Sequence, residues 1–304
     1  MSFAAGVGTL NVDLSFIGLP RLPDEGEELY SSGFSIQLGG GTINTMANLG
    51  RLGVPVRAGT FLGRDLFSDY ARRELEKAGL EPVNLYKKDT GIPLAVTAAA
   101  LTPRDRTFIS YIDPPEIGGR ELEEIYRFSR GARVMQMQGD ERTLDLFRTL
   151  KKEGTILVLD MGWDEEASLK KYREALELAD YFTPNRKEAL KLTGAASVEE
   201  AARVLSGFFD QTLIKMDSEG CLLYEKGNFS LIGSIPEFRH VDSTGAGDAF
   251  LSGFMYGIYH RRGIGESILM GNIMGGKCVS AVGCLNGGMG EAEFLDLFRR
   301  YNPA

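Results

Sequence analysis

The residues with the most evident chemical use lie between Asp242 and Phe254, which read D-S-T-G-A-G-D-A-F-L-S-G-F. Gly245-Ala246-Gly247 is a glycine-flanked turn leading into an amphipathic helix that runs from about Asp248 to Tyr259. Free N–H groups at a helix N-terminus make an anion site, and glycine lets a phosphate approach the main chain closely. A carboxylate directly after such a turn stands where phosphoryl transfer needs a base to take the acceptor's hydroxyl proton. A plain helix cap would explain a lone G-A-G-D equally well. The longer pattern is more specific, because Asp242, Thr244, both glycines, Asp248 and Gly253 fall at set intervals.

Other positions carry weaker signals. Asn11 and Asp13 follow a β-type start, where they either polarise a strand end or meet a ligand. Gly39-Gly40-Gly41 leaves backbone unscreened by side chains, which suits a hydroxylated ligand; a tight turn before a helix would use the same residues. Asn185 and Glu188 share a helix face if Pro184 opens that helix, a spacing also common on surface helices. Asp242 and Thr244 suit a local Asx or Ser/Thr turn. Lys215 ends a β-type run and is either a phosphate contact or a surface residue. Two look-alikes are set aside. Gly6 to Asn11 begins like a dinucleotide fingerprint, but Asn11 replaces the third glycine. Gly271 to Cys278 approximates a phosphate loop, yet Cys278 replaces the magnesium-binding hydroxyl and 267–280 reads as one continuous helix.

The elements that must position these residues alternate along the chain. Asp65 to Ala78 places Phe67, Tyr70, Ala71, Leu75 and Ala78 on one helical face. Thr155 to Leu159 is a wholly apolar β-type run ending at Asp160, and Thr212 to Met216 and Cys221 to Tyr224 read as further strands. S-V-E-E at Ser197 is a capping box opening a helix to Leu205. This alternation predicts an α/β fold on a largely parallel sheet. Leu14 to Ile36 and Leu94 to Ile112 break the rhythm and predict a small antiparallel sheet outside the main body. Net charge is −8, from 34 Lys plus Arg against 42 Asp plus Glu, so nucleic acid is a poor default partner. Cys221, Cys278 and Cys284 have no C-x-x-C spacing, which points to reduced cytoplasm rather than a disulfide framework. Met1 to Leu10 lacks a basic residue and does not read as a signal peptide, and no run approaches the roughly 18 apolar residues of a membrane span.

D-S-T-G-A-G-D-A-F-L-S-G matches the second signature of the PfkB carbohydrate kinases, the ribokinase family, and the resemblance extends over essentially the whole chain. Gly8 to Asp13 looks like the family's opening strand, whose Asn and Asp approach sugar hydroxyls. Gly39-Gly40-Gly41-Thr42-Ile43-Asn44 through Gly53 is similar to the first signature, whose glycines and Asn line the substrate pocket. Thr183 to Glu188 contains the family's N-x-x-E element, which acts on magnesium and phosphate through water. Gly271-Asn272 leads a segment resembling the helix whose Asn lies near adenine. Ile214 to Gly220 resembles a nucleotide-side stretch, with Lys215, Ser218 and Gly220 in place but Asp217 at a usual Gly position. Met46 and Thr42 also depart from the common pattern.

The resemblance implies one three-layer α/β/α domain over 1–304 with a lid from 14–36 and 94–112. It implies ATP and Mg2+ as cofactors, a monovalent cation such as K+ at Asp242, and Asp248 as base with Gly245, Ala246 and Gly247 as anion hole. The acceptor is then a hydroxymethyl group of a sugar, with a free hexose, keto-sugar or sugar acid preferred. A nucleoside or sugar phosphate is the alternative within the chemistry, and a silent sugar or nucleotide sensor the alternative outside it. Only Arg21, Arg104 and Arg106 look available to hold a substrate phosphate. Leu29, Tyr30, Phe34 and Ile36 in the lid predict a homodimer through its apolar face.

Overall fold

A computed structural model describes residues 2–302, leaving aside the side chain of Arg106. Arg106 as a cation for substrate phosphate, and Met1 in the reading of the N-terminus, therefore lie outside the described set. The first core strand, β1 (Ala4–Val7), is followed by β2 (Asn11–Ile17), β3 (Gly33–Gly39), α1 (Gly41–Arg51), β4 (Val56–Thr60), α2 (Leu66–Lys77) and β5 (Val83–Asn84). A hairpin of β6 (Ala95–Leu101) and β7 (Arg106–Tyr111) precedes α3 (Gly119–Ser129), β8 (Val134–Met137), α4 (Leu144–Lys152), β9 (Ile156–Leu159), α5 (Leu169–Leu178) and β10 (Tyr181–Phe182). The chain continues through α6 (Arg186–Thr193), α7 (Val198–Leu205), β11 (Gln211–Lys215), β12 (Gly220–Glu225), β13 (Asn228–Gly233), α8 (Ala246–Tyr259), α9 (Ile264–Cys278) and α10 (Glu291–Tyr301).

The central sheet has the order β10-β9-β8-β1-β4-β5, and every pair in it is parallel. An antiparallel ribbon, β11-β12-β13, extends it. The two join where Asn185 bridges Lys215 in parallel, with Lys215 N–H donating to the Pro184 carbonyl at 2.8 Å. Alternate strand residues enter different cores. Ala4, Val134, Val158 and Leu213 pack with α1, α8 and α9; Ala5, Met135, Leu157 and Ile214 pack against the α3 to α7 side. A sheet buried on both faces is what its short, wholly apolar strands call for, and it gives the expected three layers.

Local signals hold with small shifts. Asp65 caps α2 by accepting from Phe67 and Ser68 N–H. Ser197 accepts from Glu200 N–H, but the Glu200 carboxylate takes Ala196 N–H instead of Ser197's, so the box closes one residue early. The Gly271 to Cys278 look-alike lies inside α9.

The lid is a four-stranded sheet, β3-β2-β6-β7. It differs from the expectation in being mixed: β2 and β6 run parallel, and only the two hairpin pairs are antiparallel. The cause is where the strands depart. Both leave the carboxyl edge of the same parallel sheet, one after β1 and the other after β5, so they start in the same direction. Of the β-type pieces in the first lid segment, 34–38 is strand and 28–32 is not. Asn11 and Asp13 also move: they belong to the first lid strand rather than to the core strand that opens the fold.

Candidate active site

Two helices begin at the same place. α8 starts after Gly245, whose φ of 78° is left-handed and whose side would meet Cys284 Cβ at 2.2 Å, so no larger residue fits. α1 starts after Gly40, at φ 121° and pressed on the Thr9 carbonyl. Neither helix has a side-chain cap. Their first-turn N–H groups and positive dipole ends therefore face a common cleft at the carboxyl edge of the sheet. Ala246 is partly withdrawn from the expected anion hole, since its N–H turns to the Ser243 carbonyl at 3.2 Å.

Asp248 stands in the first turn of α8, and Asn44, one turn into α1, donates Nδ2 to its Oδ2 at 3.3 Å. Thr45 Oγ1 bonds the Asp248 carbonyl, and Gly41 leaves room beside Oδ1. The other amide atom of Asn44, Oδ1, is buried with no partner. A buried acceptor without a donor is costly unless a ligand supplies one, and an acceptor hydroxyl is such a donor. Asp248 is half-buried. That burial, followed by the charge of Asp160, pushes its carboxyl up to about 7 against the opposing effects of Asn44 and Lys215.

Asp160, which the sequence reading noted only as the end of β9, belongs to this cluster. Its Oδ1 lies 3.7 Å from Lys215 Nζ and accepts from Thr183 Oγ1 at 3.4 Å. Lys215 Nζ in turn lies 3.4 Å from where a side chain on Gly247 would begin, so the ammonium faces the anion hole. Burial raises the carboxyls of both Asp160 and Glu188, and the nearby Lys215 opposes this in each. The only sequence cue for Asp160 was a carboxylate at the carboxyl end of a parallel strand, where ligands of open α/β sheets bind.

The remaining expected residues divide. Asn11 Nδ2 donates to Asp13 Oδ1 at 2.7 Å, and Thr97 joins Asn11 to Ser110, so the lid presents a polar stripe. Gly39 abuts Asp13. Asn185 is the N-cap of α6, not a residue of its first turn, and forms a reciprocal capping box with Glu188. Asp242 accepts from Thr244 N–H and Oγ1 and from Gly283 N–H, which locks the loop before α8 to the 283 turn. That is the local-turn reading; the monovalent cation has no observation of its own. Asn272 donates both amide hydrogens to the Ile232 and Gly233 carbonyls, holding β13 against α9. Ser218 accepts from Ser234 through its carbonyl, and Gly220, at φ 108°, is pressed on the Ile232 carbonyl. Asp217 is exposed with φ 52°, which explains why glycine is usual there. Among the described residues no group of three or more His, Cys, Asp or Glu could hold a metal ion. Magnesium in phosphoryl transfer, however, uses one or two carboxylates with phosphate oxygens and water, and Glu188 beside Asp160 fits that demand.

The sequence profile of the pfkB family carbohydrate kinases matches residues 1–289. The chain belongs to this family. It is 23% identical over 294 residues to a ribokinase of Lactococcus lactis, covering 94% of each chain. A cytidine kinase of Thermococcus kodakarensis is 32% identical over 136 residues, 43% of this chain and 49% of that one. The fold matches that of Arabidopsis thaliana ribokinase, solved with ribose and ATP, at a TM-score of 0.81 and 23% identity, covering 98% of this chain and 99% of that one. As a pfkB carbohydrate kinase the chain explains its own signature: Gly253 lets α9 approach α8, because a side chain there would lie 2.2 Å from the Met270 carbonyl. No helix among the described residues is long and apolar enough to cross a membrane.

Proposed function

We propose that this kinase transfers the γ-phosphoryl group of ATP to a hydroxymethyl group of a sugar or sugar-containing acceptor, with Asp248 as general base. The observation that carries the reading is the meeting of two uncapped, glycine-started helix N-termini on one carboxylate, beside an unpartnered Asn44 oxygen. Asp248 takes the hydroxyl proton as the oxygen attacks the γ-phosphorus in line, and the bond to the β,γ-bridging oxygen breaks. Gly247 and Asp248 N–H groups and Lys215 hold the phosphoryl charge. Glu188 and Asp160 would hold Mg2+, which neutralises charge on the phosphates. The polar lid stripe of Asn11, Asp13 and Thr97 closes over the acceptor and excludes water. A K+ requirement at Asp242 is a separate expectation, read by replacing K+ with a bulky ammonium salt.

Uncharged acceptors are favoured over sugar phosphates, because Arg21 is already paired with Glu27. A coupled ADP-release panel of sugars, sugar phosphates and nucleosides tests this. The highest kcat/KM should fall on an uncharged acceptor, and a hexose phosphate at the top would contradict it.

The lid's apolar face is read as the contact with a second copy of the chain. Strand alternation puts Phe16, Phe34, Ile36, Ile109 and Tyr111 together on the face opposite the polar stripe. All five are exposed, and the Phe16 and Phe34 rings lie 5.3 Å apart.

A further inference from the structure

A cavity of about 670 Å3 has a lining that does not include Asp248. It lies between the loops that follow β8 and β9, and α5 closes its far side. Two residues connect it to the acceptor cleft. Asp160 forms part of its wall and belongs to the Lys215 cluster. Gln138, also in the wall, donates Nε2 to Thr42 Oγ1 at 3.3 Å, beside the glycine run that starts α1. Its size lies within the roughly 300–1,000 Å3 of sites that take drug-sized ligands, more than a single sugar ring occupies.

The lining has a definite chemistry. Its two cations are each held by a carboxylate: Arg142 makes a two-pronged pair with Asp140, and Lys171 Nζ lies 2.7 Å from Asp164. Glu141 and Asp160 add further negative charge, so a phosphate or carboxylate entering here meets a repulsive field. Two aromatic rings supply flat surface. Tyr172 is fixed, because its hydroxyl bonds Asp164 at 2.8 Å and its ring covers Gly139 so tightly that a side chain there would lie 2.4 Å away. Trp163 is 55% exposed on the β9 loop, its Nε1 donating to Glu165.

We propose that this cavity receives a second ring of the acceptor, uncharged or cationic and bearing hydrogen-bond donors, joined to the sugar whose hydroxymethyl group meets Asp248. The acceptor class is thus a nucleoside or glycoside rather than a free monosaccharide. The donors would meet the Asp140 and Asp164 carboxylates, and the ring would stack on Trp163, a contact worth about 1–3 kcal/mol for a nucleobase on an aromatic side chain.

The inference rests on the kinase reading, so its test separates binding from turnover. Calorimetry on the full chain compares ribose with cytidine and adenosine, and glucose with maltose. In at least one series the ring-bearing ligand should bind at least tenfold more tightly than its free sugar. Trp163→Ala should cut that ratio at least tenfold, and Trp163→Phe should restore most of it. Trp163 is exposed enough that neither change threatens folding. Free sugars binding as tightly as every ring-bearing partner, or a ratio untouched by Trp163→Ala, would overturn the proposal. ADP release with the same ligands reads the kinase reading alone: ring-dependent binding without turnover from any acceptor would sink that reading and leave the cavity assignment standing.

Discussion

At the scale of single residues, the unusual feature is a carboxylate, the proposed general base, whose affinity for protons is raised first by burial and then by another carboxylate. Burial and the charge of Asp160 push Asp248 up to about 7, and a base works only when deprotonated. kcat/KM should therefore be low in mild acid and rise to a plateau as pH passes through about 7, since this parameter reports the free enzyme. Asp160→Asn removes a charge that raises the Asp248 pKa, so the acid limb should move to lower pH. The same change removes one of the two carboxylates proposed to hold Mg2+, so the KM for ATP should increase. Both readouts come from one pH series; a limb that stays in place would remove Asp160 from the site. Asp160 and Asp248 were not equally legible. Asp248 sits in an extended motif with glycines at fixed intervals, whereas Asp160 is one carboxylate after an apolar run. Only the pairing of β9 and β10, and the bridge from Asn185 to Lys215, bring it to the cluster.

At the scale of elements, glycines decide how closely α8 and α9 approach. Gly253 faces the Met270 carbonyl and Gly257 faces Ser267, so the helices touch through backbone. Gly253→Ala should cost about 1–3 kcal/mol, the usual penalty for overpacking. It should appear as a lower denaturation midpoint, and an unchanged midpoint would contradict the packing account. The alternation of strand and helix, the capped starts of α2 and α7 and the helix after Gly247 were all readable from periodicity and cap residues. The lid was readable as a break in that rhythm, but not its parallel β2–β6 pair, because pairing direction depends on where two distant segments leave the sheet. Asn185 and Glu188 show the opposite limit. Their spacing was visible, yet the same spacing makes a capping box, and the structure contains that box.

At the scale of the whole molecule, α1, α8 and the Asp160–Lys215 pair converge on one carboxylate, and the proposal has the polar lid stripe close over it. The lid's apolar side faces away from it. Phe34→Asp on that outer face should shift a dimer to the monomer mass in sedimentation; a wild-type chain that is monomeric at every concentration would remove the second copy from the account. The convergence itself is tested most directly by measuring kcat and ATP affinity on folded Asp248→Asn. Asn keeps the size of Asp in the first turn of α8 but cannot accept the acceptor's proton, while Gly247 and Lys215 remain to hold phosphate. Turnover should fall by at least ~10²-fold, the lower range for losing a general base, with a far smaller change in ATP affinity. Near wild-type kcat in that variant would mean that Asp248 takes no proton in the reaction, and would contradict the mechanism at its centre.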